Sequence, residues 1–237
     1  MSPELKRRIQ LVLIAAIALA ALRSGYILYQ RHSEKLAEKA KQNVPLNADY
    51  YITPKKLYPY DLKSARQLTQ QPVWVKEGYR YTYYPYTSGH LDLSHPAGLF
   101  LPIEKVQFKD VVLAPSPAAH EKLMVALFEK DQQMFGVQIG SVAGDSYQIY
   151  SDEQFYIQDP RELYKHWPSD VWDAIEQHQM KAGMSEMQAN FAIGMGVPER
   201  SDDPATKTVN YPNGGNPLVV TYHDGRAADI KPGHPQG

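Results

Sequence analysis

Residues 9–22 constrain this chain more than any other stretch. From Ile9 to Leu22 only Gln10 is polar, and Ile27-Leu28-Tyr29 prolongs the run beyond Arg23. A segment apolar all round has no face to turn toward water. The short basic lead Pro3 to Arg8 in front of it has the form of an export signal. The rest of the chain is therefore expected outside the cytoplasm, in the periplasm or cell envelope. Ala18-Leu19-Ala20 has the small-x-small form of a cleavage site, with the cut after Ala20. The other reading is an uncleaved, single-pass anchor over residues 9–29, close to the ~20 residues a spanning helix needs. The anchor is preferred because the helical pattern runs on without a break. Arg23 would then snorkel, with Tyr26 and Tyr29 at the interface. Basic residues flank both sides (Lys6, Arg7 and Arg8; Arg31, Lys35, Lys39 and Lys41), so charge does not orient the span. The N-terminus is placed inside because an export signal implies an exported bulk.

Ser33 to Gln42 reads SEKLAEKAKQ and carries only the thin stripe Leu36 and Ala40. It is expected to be a solvated helical stalk, completing an anchor-and-stalk region over residues 1–43. Residues 44–71 form a linker in which Pro45, Pro54 and Pro59 prevent a long helix. Within it, Asp61 to Gln70 suits one short helix capped by Asp61. The net charge of -1 offers no electrostatic footprint for nucleic acid. The absence of cysteine excludes disulfides, thiol catalysis, thiolate metal sites and a cysteine-borne lipid.

Residues 72–158 read as a small β module. Of the 17 tyrosines, nine fall between Tyr50 and Tyr86. Val73 to Val75 and Tyr79 to Tyr84 suit strands about a Glu77-Gly78 turn. On such a strand Tyr79, Tyr81 and Tyr83 would share one face and offer a binding platform, although tyrosines also half-bury well on any small sheet. Val106 to Leu113, Leu123 to Glu129, Phe135 to Ile139, Tyr147 to Tyr150 and Phe155 to Ile157 are further strands, with a hairpin turn at Lys130-Asp131-Gln132. Short strands at this spacing suggest a small barrel or curled sheet, SH3-like in pattern.

Residues 159–237 change character. Asp159-Pro160-Arg161-Glu162 starts a helix with an Asp cap and Pro at N1. Ser169 is expected to cap a second helix bearing Val171, Trp172 and Ile175. Ser185 and Gln188 form a capping box for a third, with Met187, Phe191 and Met195 repeating every four residues as its buried stripe. Gly196-Val197-Pro198 should end it. Val209 to Tyr211, Leu218 to Tyr222 and Ala227 to Ile230 then read as three strands, with turns at Asn213-Gly214-Gly215-Asn216 and Asp224-Gly225. The fold class expected overall is α+β.

Gly183-Met184-Ser185, Met195-Gly196-Val197-Pro198, Tyr211 and the run Val220 to Arg226 carry a resemblance. Over about Trp172 to Ile230 the chain resembles the SmpA/OmlA-like domain of small outer-membrane assembly lipoproteins, a fold shared with β-lactamase-inhibitor-like proteins. The resemblance implies a two-helix layer on a three-stranded antiparallel sheet, with Gly183, Met184, Ser185, Gln188, Gly196, Pro198, Asp224 and Gly225 as structural positions. The lipid-bearing cysteine of that family is absent here.

His90, Asp92 and His95 are the best metal-like cluster, since His and Asp suit zinc. On a strand His90 and Asp92 would share a face, with His95 returning from beyond a turn. No further ligand stands at a defined spacing, and a polar loop without metal is preferred. His120-Glu121, His223-Asp224 and the Tyr164 to Trp167 run read as loop or helix-end residues. Ser146, Ser151 and Ser169 lack a nucleophile elbow. Gly194-Met195-Gly196 lacks the strand and helix of a phosphate loop. The function expected is that of a non-catalytic, membrane-tethered envelope protein, without cofactor, that binds protein or cell-wall partners in assembly or maintenance. A metal-dependent hydrolase using His90, Asp92 and His95, or an inhibitor of a secreted enzyme, are the alternatives.

Overall fold

A computed structural model describes residues 19, 21–35, 48–117, 120–200, 203 and 205–234. The chain divides into two compact units, Met1–Tyr51 and Ile52–Gly237. In the first, residues 21–35 are helical (α1) and exposed, and a 3-10 turn spans Ala48–Tyr51. Residues 9–18 and 20 of the expected anchor, and residues 36–42 of the stalk, lie outside the described residues. Among the described residues no helix is long and apolar enough to cross a membrane.

The second unit is mixed α+β, mostly antiparallel sheet. It opens with a strap, residues 52–60, that forms neither helix nor strand. Its inward residues Ile52 and Leu57 pack against two different cores, while Tyr58 and Tyr60 point to solvent. The Lys55 amide donates to Gln158 Oε1 at 2.7 Å, and Lys56 pairs with Asp152 at 3.5 Å. Helix α2, Leu62–Ala65, follows with a complete capping box: Asp61 Oδ1 accepts from the Ser64 amide, and Ser64 Oγ accepts from the Asp61 amide. The expected helix over 61–70 is thus one α-turn continued as a 3-10 helix, Arg66–Thr69.

The strands of the middle region are β1 (Val73–Val75), β2 (Thr82–Thr87), β3 (His90–Leu91), β4 (Gly98–Leu99), β5 (Lys105–Val106), β6 (Phe108–Pro115), β7 (Glu121–Lys130), β8 (Gln133–Ala143) and β9 (Ser146–Ile149). A seven-stranded sheet runs β3-β2-β8-β7-β6, with β4 on β2 and β9 on β8. Its ends, β3 and β6, approach each other, so the sheet curls. Strand β7 is buried without a break from Leu123 to Phe128. Met124, Ala126 and Phe128 face a first core, and Leu123, Val125 and Leu127 face a smaller one with Leu91 and Ala114. Two buried faces explain why this strand reads as continuous rather than alternating. The β7–β8 hairpin turns on two residues, Asp131 and Gln132, with φ of 51° and 64°. Both are left-handed, as a type I′ turn requires, although Gln is an unusual choice there.

The expected hairpin about Glu77-Gly78 does not form. Strand β1 leaves for a separate three-stranded sheet, β10-β1-β5, in which Trp74 faces Tyr156 on one side and Lys105 on the other. Here β10 is Phe155–Tyr156, preceded by the one-turn helix α3, Ser151–Gln154. Side chains of a strand alternate between its faces. Val73, Val75, Val106 and Phe155 therefore enter the first core, while Trp74 and Tyr156 enter a second. This small sheet is a wall shared by both cores. The boundary expected at residue 158 runs through that shared packing.

Beyond the wall come α4 (Pro160–Leu163), α5 (Ser169–Glu176), α6 (Glu186–Ile193) and strands β11 (Val197–Pro198), β12 (Thr206–Tyr211), β13 (Leu218–His223) and β14 (Arg226–Pro232). The sheet is β11-β12-β13-β14 and has four strands, not three, because Val197-Pro198 pairs with Val209-Asn210. Asp159 caps α4 by accepting from the Arg161 amide, and Pro160 stands at N1. Pro168 rather than Ser169 holds the N-cap of α5. The Ser185–Gln188 box on α6 is complete. The helix stops at Ile193, so Met187 and Phe191 pack while Met195 lies beyond its end, exposed. Its cap, Gly194, has φ +82° and sits where a Cβ would come within 2.5 Å of the Gly78 carbonyl. Phe191 is the hub of the second core. Its ring centre lies 5.9, 5.2, 5.1 and 6.4 Å from those of Tyr156, Tyr164, Trp167 and Trp172. Gly183, at φ +84°, turns the α5–α6 loop onto the outer edge of β14. Its amide donates to the Ala227 carbonyl, and the Ala227 amide donates to Met184 O. That clasp satisfies edge groups that would otherwise be open to pairing with another chain.

Candidate functional site

The wall between the cores ends at an open groove of about 540 Å³. One side is the loop after β4: Leu101, Pro102, Ile103 and Glu104, with Trp74 behind it. The other side is α4 and α5, which present Asp159, Arg161, Trp172, Ile175 and Glu176, and then His178. The loop is fixed by β1, since the Ile103 amide donates to Val75 O at 3.0 Å and the Val75 amide to Glu104 O at 2.9 Å. Ile103 holds φ +57°. A β-branched residue resists that conformation, and such strain gathers at ligand-contacting loops.

Each charge in the groove has an internal partner. Glu104 Oε2 accepts from the Leu101 amide at 2.8 Å, and its Oε1 lies 3.5 Å from Lys130 Nζ. Arg161 pairs with Glu176 and lies over the Trp172 ring, 5.7 Å from its centre. Lys105 stands 5.6 Å over Trp74. His178 Nδ1 is 3.2 Å from the Ala192 carbonyl. A carbonyl only accepts, so Nδ1 carries the proton and Nε2 is the neutral ring's acceptor. The result is an array of fixed donors and acceptors among apolar side chains, the usual make-up of a small-molecule site.

The row expected of Tyr79, Tyr81 and Tyr83 is not a row. Strand β2 begins at Thr82, and Tyr79 has φ +69°. Tyr79 lies against the second module, where a Cβ on Gly214 would come within 2.7 Å of its ring. Tyr81 packs on the first core, and burial raises its hydroxyl to about 12. Tyr83 is buried against Phe100, Phe128 and Phe135. Tyr81 and Tyr83 thus pack into the first core while Tyr79 turns to Gly194 and Gly214, so the three share no face.

Of His90, Asp92 and His95, the structure joins the last two only. Strand β3 ends at Leu91, which leaves Asp92 outside it. Asp92 accepts from Ser94 Oγ at 2.5 Å and pairs with His95 Nδ1 at 2.9 Å. Ser94 and His95 hold the carboxyl down to about 2. Ser94 and Asp92 both meet the same imidazole nitrogen, so the ring cannot relay a proton between them as in a nucleophilic triad. Among the described residues no three His, Asp or Glu side chains gather as a metal set.

Of the structural motif, Met184 is fully buried, and Asp224-Gly225 makes the β13–β14 turn with φ of 49° and 75°. Gly196 backs onto Val209 and Tyr211, and Pro198 closes the short strand β11. The groove residues carry no such local signature. They come from three separated segments, and two of the chain's three tryptophans among them are the one compositional hint. No family model, no curated protein and no solved structure matches the chain.

Proposed function

We propose that this chain is a non-catalytic cell-envelope protein, tethered to a membrane through residues 9–29 with Ile52–Gly237 on the periplasmic or extracellular side, and that the groove is where it binds its partner. The observation carrying this reading is the state of the groove's ionic side chains: each is held by a neighbour of this chain, which suits recognition and leaves no group poised as acid, base or nucleophile. Finer family readings belong to the same proposal. The curled seven-stranded sheet is taken as SH3-like, and the region from Trp172 to Ile230 as an SmpA/OmlA-like layer with one added short strand. Envelope assembly or maintenance is the process that fits.

The test combines location and contact. Cell fractionation should recover the full-length chain with membranes, its bulk accessible to protease from the periplasmic side. A photo-crosslinking residue at Leu101, exposed on the groove's lip, should capture a discrete envelope component in cells, and one at His95 should not. A full-length chain in the soluble cytoplasm, or equal capture from both positions, would sink the reading.

A further inference from the structure

We infer that the outward face of the strap, residues 52–60, lies on the lipid headgroups of the membrane that holds the chain, with Tyr58 and Tyr60 at the interface and Lys55 on lipid phosphate; this concerns a surface apart from the groove and rests on the tether proposed above. The strap has two sides. Ile52 and Leu57 turn inward to the cores, and Pro54 and Pro59 are half-buried beside them. Thr53, Lys55, Lys56, Tyr58 and Tyr60 turn outward. Tyr58 and Tyr60 are 71% and 78% exposed, although the same fold buries Tyr83, Tyr156, Tyr164, Tyr211 and Tyr222. No acidic residue stands between Tyr51 and Tyr60. Asp61 follows, and its carboxylate is taken up by Ser64.

Two phenol rings and an ammonium group on one side of a strap suit one environment. A phenol has an apolar body and a polar tip, which is why tyrosine gathers where hydrocarbon meets water. Lysine adds attraction to lipid phosphate. Lys56 is 3.5 Å from Asp152 and 5.9 Å from the Tyr58 ring centre, whereas Lys55 makes no ion pair among the described residues. The strap is a poor edge for an added peptide strand, since Pro54 and Pro59 offer no N–H and the Lys55 amide is already given to Gln158. The tether supplies the remaining argument. Residues 30–51 separate the proposed anchor from the strap, and a short tether holds a surface at about millimolar effective concentration beside its target. A face too weak to bind vesicles by itself would therefore still settle on the membrane next to it.

The test places a probe on the strap of the full-length protein. The chain has no cysteine, so Thr53→Cys takes a single environment-sensitive fluorophore and leaves the tyrosines intact. In nanodiscs of phosphatidylethanolamine and phosphatidylglycerol, a nitroxide on the lipid headgroup should quench it. Lys55→Gln in this background should lower the ratio of docked to undocked protein, read from the quenched fraction, about fivefold, the worth of one lysine at an anionic surface. Tyr58→Ser/Tyr60→Ser should lower it further. All three positions are exposed, so the variants should melt like the parent, and the tether is the same in each. Quenching that stays unchanged in both variants belongs to the tether alone and overturns the inference. So does a photo-crosslinking residue at Tyr60 that captures a discrete protein in cells rather than lipid. A protein that enters the discs with its probe unquenched loses the docked strap and keeps its anchor; one that never enters them loses both.

Discussion

Phe191→Ala is the sharpest test of the second core. The residue is 6% exposed, and its ring meets four aromatic rings, with two centre-to-centre distances near 5 Å. Truncating a buried Phe to Ala costs about 3–5 kcal/mol, and more where the surroundings cannot collapse. Rigid rings on several sides collapse poorly, so about 4–5 kcal/mol is expected here. That is a large part of the roughly 5–15 kcal/mol that holds a domain folded. At about 2–4 °C per kcal/mol for a unit of this size, Tm should fall by about 8–20 °C. The assay is a thermal melt of the full-length protein followed by tryptophan emission, which reports on Trp167 and Trp172 beside the cavity. Phe191→Leu keeps most of the volume and should cost under about 2 kcal/mol. The sheet β10-β1-β5 is shared by both cores, so the variant should still melt in one step. A Phe191→Ala protein that melts with the parent would refute the packing, and two resolved transitions would refute the shared wall.

Ser185→Ala removes the acceptor that holds the Gln188 amide and should cost about 1 kcal/mol by the same melt, with Ser185→Gly less damaging. Tyr81 and Tyr222 are raised to about 12 by burial, and Tyr156 and Tyr211 are raised as well. A raised tyrosine binds its proton longer in the folded state than in the unfolded one. Its contribution is therefore whole below pH 10 and is lost as pH climbs from about 10 through about 12. Absorbance titration of the phenolates should show a late class whose ionisation coincides with unfolding; complete reversible ionisation before the fold is lost would contradict this. His90, exposed on β3, and His95, on an exposed loop, should each shift stability by less than about 0.5 kcal/mol when changed to Ala. Excess zinc should leave Tm where it was; a zinc-dependent rise abolished by His90→Ala would revive the metal reading.

What the sequence carried legibly was local. The Asp61 and Ser185 caps, the Asp224-Gly225 turn and the Lys130–Gln133 hairpin each depend on residues a few positions apart, so their hydrogen bonds are written in neighbouring letters. The layer of Trp172, Ile175 and Phe191 followed from helical spacing. Pairing between distant segments was not legible. Val73-Trp74-Val75 announces a strand but not that Phe155-Tyr156 will lie beside it. The tyrosine run from Tyr79 to Tyr83 kept the period of a strand while Tyr79 took a left-handed turn, because the partner it meets, Gly214, is remote in the chain. Met195 continued the helical repeat on paper, but Gly194 ended the helix first. The groove was hidden for the same reason: β1, the Leu101–Glu104 loop and α4–α5 meet only in space.

The strap of residues 52–60 has a mechanical consequence. A chain held by its N-terminal end delivers any tension to this segment before any sheet feels it. Ile52 would have to leave the second core, then the Lys55 amide its bond to Gln158, then Lys56 its partner Asp152, then Leu57 the first core. These fastenings lie one after another along the chain, so they give way in turn rather than together. Each release lengthens the strap and lowers the force on the next. The first strand to be loaded after them is β1 of the wall beside the groove, so the strap takes up extension before that sheet is disturbed.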